Sequence, residues 1–482
     1  MVLHIAKREL YDHLNSLRFA FTVVLFLALM IANAIGHFGE YNIRLTEYRK
    51  KVATSLDTMK GHTDSLFSLM LNGPGQLYKK PSALTFCADG GERFLPEYVE
   101  ARNYGWMRSW QAPGEKPVTI QNIWHLTYPQ SNPNLWDITP DYTNISWVAI
   151  ISLVLPFIAI LFTFDAIAGE REQGTLRLTL SNSVPRDLVL VGKFLGAFLS
   201  IGIPFVIAVL INLFLLYTAG GVPLGANEWG RLGLILLVAL IYLSIFIALG
   251  LLVSSRAKRS SVSLTILLLI WVVWVVLTPS TLGSLVSGLQ PTKTIEELDS
   301  YRWQQRKNLN AQYPLGKGDG PTRAIPATEM TLLWAEYVKK EAQLKEQLHQ
   351  EHLTDQISQI NRARTITRIS PASIVQYTIE SLAGTGFSHH LSFLEAVHRY
   401  APEFRQFLLD TDGADPKSPH APYVPEGASE SPVRFSEIPK FEDSNRVSTD
   451  LNAALMDILL LVLFFVVSFA LAYLSFLRVD VL

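Results

Sequence analysis

Leu232-Gly233-Leu234-Ile235-Leu236-Leu237-Val238-Ala239-Leu240-Ile241-Tyr242-Leu243-Ser244-Ile245-Phe246-Ile247-Ala248-Leu249-Gly250-Leu251-Leu252-Val253 is a run without a single Lys, Arg, Asp, Glu or Pro. An α-helix rises about 1.5 Å per residue, so a run of this length reaches across the roughly 30 Å hydrocarbon core of a bilayer. Five more stretches meet the same requirement and are equally free of charge: Phe19–Ile35, Ile145–Phe164, Phe194–Thr218, Ser261–Leu277 and Ile458–Leu477. The buried helices of a water-soluble protein do not produce six such runs. The sequence therefore predicts an α-helical polytopic membrane protein with six transmembrane helices.

The composition agrees. The chain has 482 residues, 49% of them apolar and only 17% charged, and its mean hydropathy is +0.23. A soluble domain carries about 25% charged residues, more than this chain has to cover a water-facing surface. The apolar content excludes disorder, the single cysteine (Cys87) excludes a disulfide scaffold, and a net charge of −1 gives no footprint for nucleic acid.

Orientation follows from Lys and Arg in the short connections. With the N-terminus inside, segments 1–18, 165–193, 254–260 and 478–482 hold three, four, three and one basic residues, whereas the short loop from Ala219 to Arg231 holds Arg231 alone. Both termini are expected to be cytoplasmic. The chain then divides into an interfacial helix (1–18), a first span (19–38), a first extracytoplasmic domain (39–144), spans two to five (145–280) with a cytoplasmic loop at 165–193, a second extracytoplasmic domain (281–450), and a sixth span with a tail (451–482). In the leading segment Leu3, Ala6, Leu10, His13/Leu14 and Leu17 share one helical face, while Lys7, Arg8 and Asp12 lie off it. We read it as a helix on the inner membrane surface ahead of a retained anchor, not as a signal peptide cleaved near Ala32-Asn33-Ala34.

The outer domains are expected to be mixed α/β or mainly helical. The first starts as a helix carrying Tyr41, Leu45, Tyr48, Val52, Leu56 and Met59 on one side. After Asn72-Gly73-Pro74-Gly75 come short strands up to Pro140, with Trp106, Trp110, Trp124 and Trp136 forming a small core or a ligand platform. In the second, Glu329 to Thr365 reads as a long helix with Trp334, Tyr337, Leu344, Leu348, Ile357 and Ile360 as its stripe. Lys339, Lys340, Glu341, Lys345 and Glu346 form a solvated face or, alternatively, the surface of a partner-binding coiled coil. Ser370-Pro371 is an N-cap followed by Pro at the first helical position, and that helix should end at Gly384-Thr385-Gly386. Asp410 to Pro439 reads as irregular.

No enzyme constellation emerges. Gly192-Lys193 and Gly316-Lys317-Gly318 lack the spacing of a phosphate-binding loop, and His349-Gln350-Glu351-His352 is one residue short of the zinc-helix pattern. His389, His390, Glu395 and His398 could hold a metal, but clustered surface histidines are commoner. Cys87 has no partner in the chain and reads as a buried thiol, with an intersubunit disulfide as the alternative. Asn144-Ile145-Ser146 is a weak glycosylation triplet. The spans contain no charged residue to serve as a proton relay or ion site. Pro156 and Pro204 can bend spans two and three, and Gly192, Gly196 and Gly202 offer a flat face for a neighbouring helix. Trp271 and Trp274 share a face of the fifth span, turned to lipid or to a second subunit. Asp457 reads as an interfacial residue just before the last span.

The stretch after the second span reads Asp165-Ala166-Ile167-Ala168-Gly169-Glu170-Arg171-Glu172-Gln173-Gly174-Thr175-Leu176, then Ser181-Asn182-Ser183-Val184-Pro185-Arg186 and Gly192-Lys193. It closely resembles the inner loop of ABC-2 type permeases, the membrane subunits of one class of ABC exporters. The resemblance covers about residues 1–38 and 145–280 with the last span. The two large insertions look like those of a bacterial subgroup of the inner membrane, in which Lys80-Pro81-Ser82 and Ser370-Pro371 have counterparts.

The resemblance implies a transporter subunit without its own ATPase site or bound cofactor. ATP and Mg would sit on separate cytoplasmic ABC ATPase subunits, a second permease (identical or sibling) would complete a dimer, and envelope proteins are further candidate partners. Glu170, Arg171, Glu172, Gly174, Thr175, Pro185 and Arg186 would form the ATPase-coupling loop. Physically, a short charged helix ended by Gly174 and fixed to two spans is a lever. The substrate cannot be read from the sequence, and movement of the outer domains without translocation remains the alternative.

Overall fold

The computed structural model describes residues 2–90, 95–103, 107–110, 118–121, 123–129, 145–176, 185–219, 221–281, 295–313, 327–424, 427–443 and 447–478. Trp106, Trp136, Asn144, Ser181 to Val184 and Gly316-Lys317-Gly318 lie outside these residues, as does the side chain of Trp110.

Among the described residues, six helices are long and apolar enough to cross a membrane. The chain starts with α1 (Val2–Leu14) and α2 (Leu17–Gly36), whose N-cap Ser16 accepts from the Phe19 amide, and continues into α3 (Glu40–Lys60). The second span is α5 (Trp147–Ala149), a widened π turn (Ile150–Val154) and α6 (Leu155–Thr163), followed by the short α7 (Ala168–Glu172). Next come α8 (Arg186–Thr218), α9 (Ala226–Arg256) and α10 (Ser260–Trp271), the last continuing through a second π turn, Val272–Leu277. The sixth span is α15 (Val447–Leu477). The sequence placed all six, but α8 and α15 begin well before their uncharged cores.

The π turns have a chemical cause and a chemical remedy. Pro156 has no N–H, so the Ser152 carbonyl loses its helical donor. The Tyr242 hydroxyl donates to that carbonyl at 3.0 Å, and the Trp271 indole N–H donates to Leu153 O at 3.2 Å. In the second π turn the Ser370 hydroxyl donates to Trp274 O. Without water, freed backbone groups must be met by neighbouring side chains, and they are. The same tryptophans also make ring contacts inside the chain. Trp271 packs on Phe157 and Trp274 on Phe464 within the bundle, and both indoles stay partly exposed. At Gly250, α9 touches the second span so closely that a Cβ would lie 1.8 Å from Thr163 Oγ1.

The insertions add α4 (Leu66–Asn72) and strands β1 (Gly75–Tyr78), β2 (Tyr98–Arg102), β3 (Met107–Trp110), β4 (Val118–Gln121) and β5 (His125–Thr127). β1-β2-β5 is an antiparallel sheet with Leu77 opposite Val99 and Ala101 opposite Leu126, while β3 and β4 pair separately. From the second insertion come α11 (Ile295–Gln312), α12 (Ala327–Thr367), α13 (Pro371–Ala383) and α14 (Gly386–Gly413). The two insertions share one core. Trp124, buried beneath the sheet, meets Phe404 of α14 edge-on at 5.6 Å, and Leu66, Leu69 and Met70 join Phe393, Val397 and Leu408. Trp124 therefore belongs to the packed core, not to a ligand platform.

One more reading is corrected in this region. The polar face of α12 is not fully solvated: Glu341 is buried against Arg306 at 2.9 Å, and Glu346 pairs with Arg405. Asp457, just before the uncharged run of the last span, lies inside α15, its buried carboxylate paired with the half-buried Arg368 at 2.5 Å. α13 begins as read, with the Ser370 hydroxyl accepting from Ala372 N and Pro371 at the first helical position, and ends at Gly384 with φ +64°. All thirteen of its residues are buried, and it packs against α9 and α15, so the insertion is wedged into the bundle. Arg231, at the start of α9, pairs with Asp450 at 2.7 Å and donates to Leu382 O at 3.0 Å. Cys87 is fully buried in the same cluster.

Candidate coupling site

The ABC-like loop folds as α7, with Gly174 just beyond it at φ +73°, a conformation that resists side chains. Each polar residue of α7 reaches a different element. Glu170 Oε1 accepts from Lys193 Nζ of α8 at 2.7 Å, and the same ammonium donates to Glu9 Oε1 of α1 at 2.7 Å. The Arg171 guanidinium forks onto the last turn of α9, donating to Ala257 O at 2.9 Å and Ser255 O at 3.1 Å. Helix C-terminal carbonyls lack intrahelical donors, so a planar fork is well suited to take two of them. Glu172 Oε2 accepts from the Ser260 hydroxyl at the start of α10 at 2.6 Å. The Thr175 hydroxyl donates to Glu170 O at 3.2 Å.

Pro185 precedes α8, and Arg186 donates to Leu477 O at the end of α15 at 2.8 Å. Arg18 of α2 pairs with Asp165 at 2.8 Å. Through these contacts α7 is tied to α1, α8, α9 and α10, while Asp165 before it reaches α2 and Arg186, at the far end of the loop, reaches α15.

The structure thus brings together Glu170, Arg171, Glu172 and Thr175, with Gly174 terminating the helix. Pro185 and Arg186 stand at the far end of the loop, on α8. Several members escaped sequence reading. The Ser254 hydroxyl of α9 accepts from both the Ile167 and Ala168 amides at 3.0 Å, capping α7 from a distant helix. Nothing local marks such a long-range cap. Lys193 is buried at 4% exposure although it carries a charge. Its signal was present: a lysine two turns inside a helix that is apolar on both sides of it requires an anionic partner, and Glu9 breaks the polarity pattern of α1.

α1 is itself part of the site. Gly192 and Gly196 do not form a flat face for a second subunit. A Cβ on Gly192 would lie 2.6 Å from Ile5 Cγ2, and one on Gly196 would lie 2.5 Å from Glu9 Cβ, so these glycines seat α1 within the same chain. His13 Nδ1 lies 3.0 Å from Ser200 Oγ, and burial holds the His13 ring below its ordinary pKa.

The histidines of the insertions do not assemble a metal centre. His389 lies 3.6 Å from Asp443, His398 bonds the Tyr128 hydroxyl at 2.6 Å, and among the described residues no group of three or more metal-ligating residue types converges.

The sequence model of the ABC-2 family transporter proteins matches residues 3–481. A probable ABC transporter permease protein NosY of Stutzerimonas stutzeri is 37% identical over 92 residues, which is 18% of this chain and 32% of the relative. A protein of the same description from Pseudomonas aeruginosa is 35% identical over 125 residues, covering 25% of this chain and 43% of its own length. The chain thus spans less than half the length of either relative.

Proposed function

Because the chain belongs to the ABC-2 family of transporter proteins, a multi-pass membrane permease subunit of an ABC transporter, we propose that it couples ATP hydrolysis on separate subunits to movement of its spans through α7. Both termini and α7 would face the cytoplasm of a bacterium, with the insertions on the outer side of the inner membrane. Two ATPase subunits carrying ATP and Mg would push on α7, and a second permease, identical or sibling, would supply the facing wall of an export path for an unidentified substrate. The observation that carries this reading is the set of ties joining α7 to α1, α8, α9 and α10. A push on a helix so anchored is transmitted as rigid-body motion, because packed interfaces switch between discrete arrangements.

One observation favours a second reading, in which the insertions move to act on envelope partners and nothing crosses the bilayer. Arg231, which donates to Leu382 O of α13 and pairs with Asp450, and the Arg368–Asp457 pair tie the wedge around α13 to spans four and six. Export and transmission share the first step, and one experiment tests that step. Purified alone the chain should hydrolyse no ATP, and Arg171→Ala should uncouple or release a co-expressed ATPase. Specific hydrolysis by the isolated chain would overturn the proposal.

A further inference from the structure

A cleft of about 760 Å³ opens beside the coupling helix, at the same end of the bundle, between the last turn of α9, the start of α10 and the last turns of α15. Its walls are apolar: Leu252, Val262, Ile266 and Leu471 line it, and the last three are 47%, 41% and 46% exposed. Its rim is basic: Arg256, Lys258 and Arg259 stand on the connection between α9 and α10. Among the described residues no carboxylate lines the cleft. The nearby Glu172 is engaged by the Ser260 hydroxyl.

The rim is built, not loose. Arg171 holds the Ser255 and Ala257 carbonyls on either side of Arg256, Arg256 Nε donates to Ser475 Oγ at 3.1 Å, and the Ser255 and Ser475 hydroxyls meet at 2.8 Å. From Arg259 to Ile266 the helix descends about 10 Å at 1.5 Å per residue. Val262 and Ile266 are four residues apart and so present one continuous stripe beneath the cations. Cations at the end of a membrane helix with an apolar, side-open wall below them match one amphiphile: a phosphate at the rim and a hydrocarbon chain along the wall.

We propose that this cleft is a binding site for one anionic phospholipid. Its phosphate is held by Arg256, Lys258 and Arg259, and an acyl chain lies against Leu252, Val262, Ile266 and Leu471. The site does not depend on how α7 is driven.

The test uses the full chain, purified with its associated subunits. It is equilibrated with phosphatidylcholine bilayers in which one lipid in four is phosphatidylglycerol, then weighed by native mass spectrometry after transfer to mild detergent. Phosphatidylglycerol should be retained in preference to phosphatidylcholine. Lys258→Gln with Arg259→Gln, both exposed positions, should cut that preference about 30-fold, since each cation at a membrane surface contributes about one kcal/mol. Val262→Trp should reduce retention of both lipids without touching a charge, and glycerol 3-phosphate should not displace the bound lipid. Equal retention of the two lipids by the unaltered protein would overturn the proposal. So would an unchanged preference in the charge variant, undiminished retention in Val262→Trp, or displacement by glycerol 3-phosphate, which would mark a site for free phosphate.

Discussion

Lys193→Met removes the ammonium that joins α1, α7 and α8 while keeping a side chain of similar length, so the perturbation is electrostatic and leaves no cavity. In the intact protein one Nζ donates to Glu9 and Glu170, both at 2.7 Å, with the lysine 4% exposed and the two carboxylates 19% and 28% exposed. Stranding the partner of a fully buried pair costs about 3–5 kcal/mol. Here both carboxylates reach some water, which screens the loss, so about 2 kcal/mol is the reasonable figure. That raises the population of undocked α7 and α1 about 30-fold. Hydrogen exchange on the purified permease should show amides from Ile167 to Gln173 and along α1 exchanging faster by that factor, while α14 is unchanged. In the complex with its ATPase, hydrolysis should no longer respond to the permease. Unchanged exchange at α7 would refute the view that Lys193 holds it.

Other expectations follow from the same geometry. Gly196→Val puts methyl groups where Glu9 already sits 2.5 Å from a Cβ, so α1 should lift off and trypsin should cut after Lys7 faster than in the unaltered protein. Asp450→Asn leaves Arg231 buried beside an uncharged partner and should lower the unfolding midpoint in detergent by the equivalent of about 3 kcal/mol, whereas Arg231→Met with Asp450→Leu should recover most of the loss. In the insertions, burial holds His125 at a pKa of about 4 and His349 and His390 at about 3, against an ordinary 6.5. The unfolded chain therefore binds more protons than the folded one between those limits. Stability should be full above about pH 6.5 and fall as pH drops toward 3, seen as accelerating exchange in α12 and α14.

The spans were legible because bilayer thickness imposes one physical requirement, length without charge, that any reader of the sequence can apply. The same holds for α13: Ser370, Pro371 and Gly384 are local signals, and its limits came out almost as read. Its burial was not legible, because a helix with Gln376, Glu380 and Ser381 resembles a surface helix until Arg364 is found paired with Glu380 at 2.7 Å. Gly192 and Gly196 announced a close helix neighbour but not which one, since a glycine face has no chemistry to identify its partner. At the candidate coupling site, α7 and Gly174 were visible as a charged helix and its stop. The contacts that make it a hub were hidden, because Ser254, Lys193 and Glu9 come from three other helices and meet only in three dimensions. The intrachain role of Trp271 was hidden for a related reason: its indole donates to a carbonyl of the π turn in another span.

The most direct test of the account places a photo-crosslinking residue at Gln173, on the exposed tip of α7, in intact cells and identifies what it captures by mass spectrometry. The account predicts a nucleotide-binding ABC subunit, with capture lost when Arg171 is replaced by Ala. Capture of lipid or envelope proteins alone, with no ATPase at that position, would contradict it.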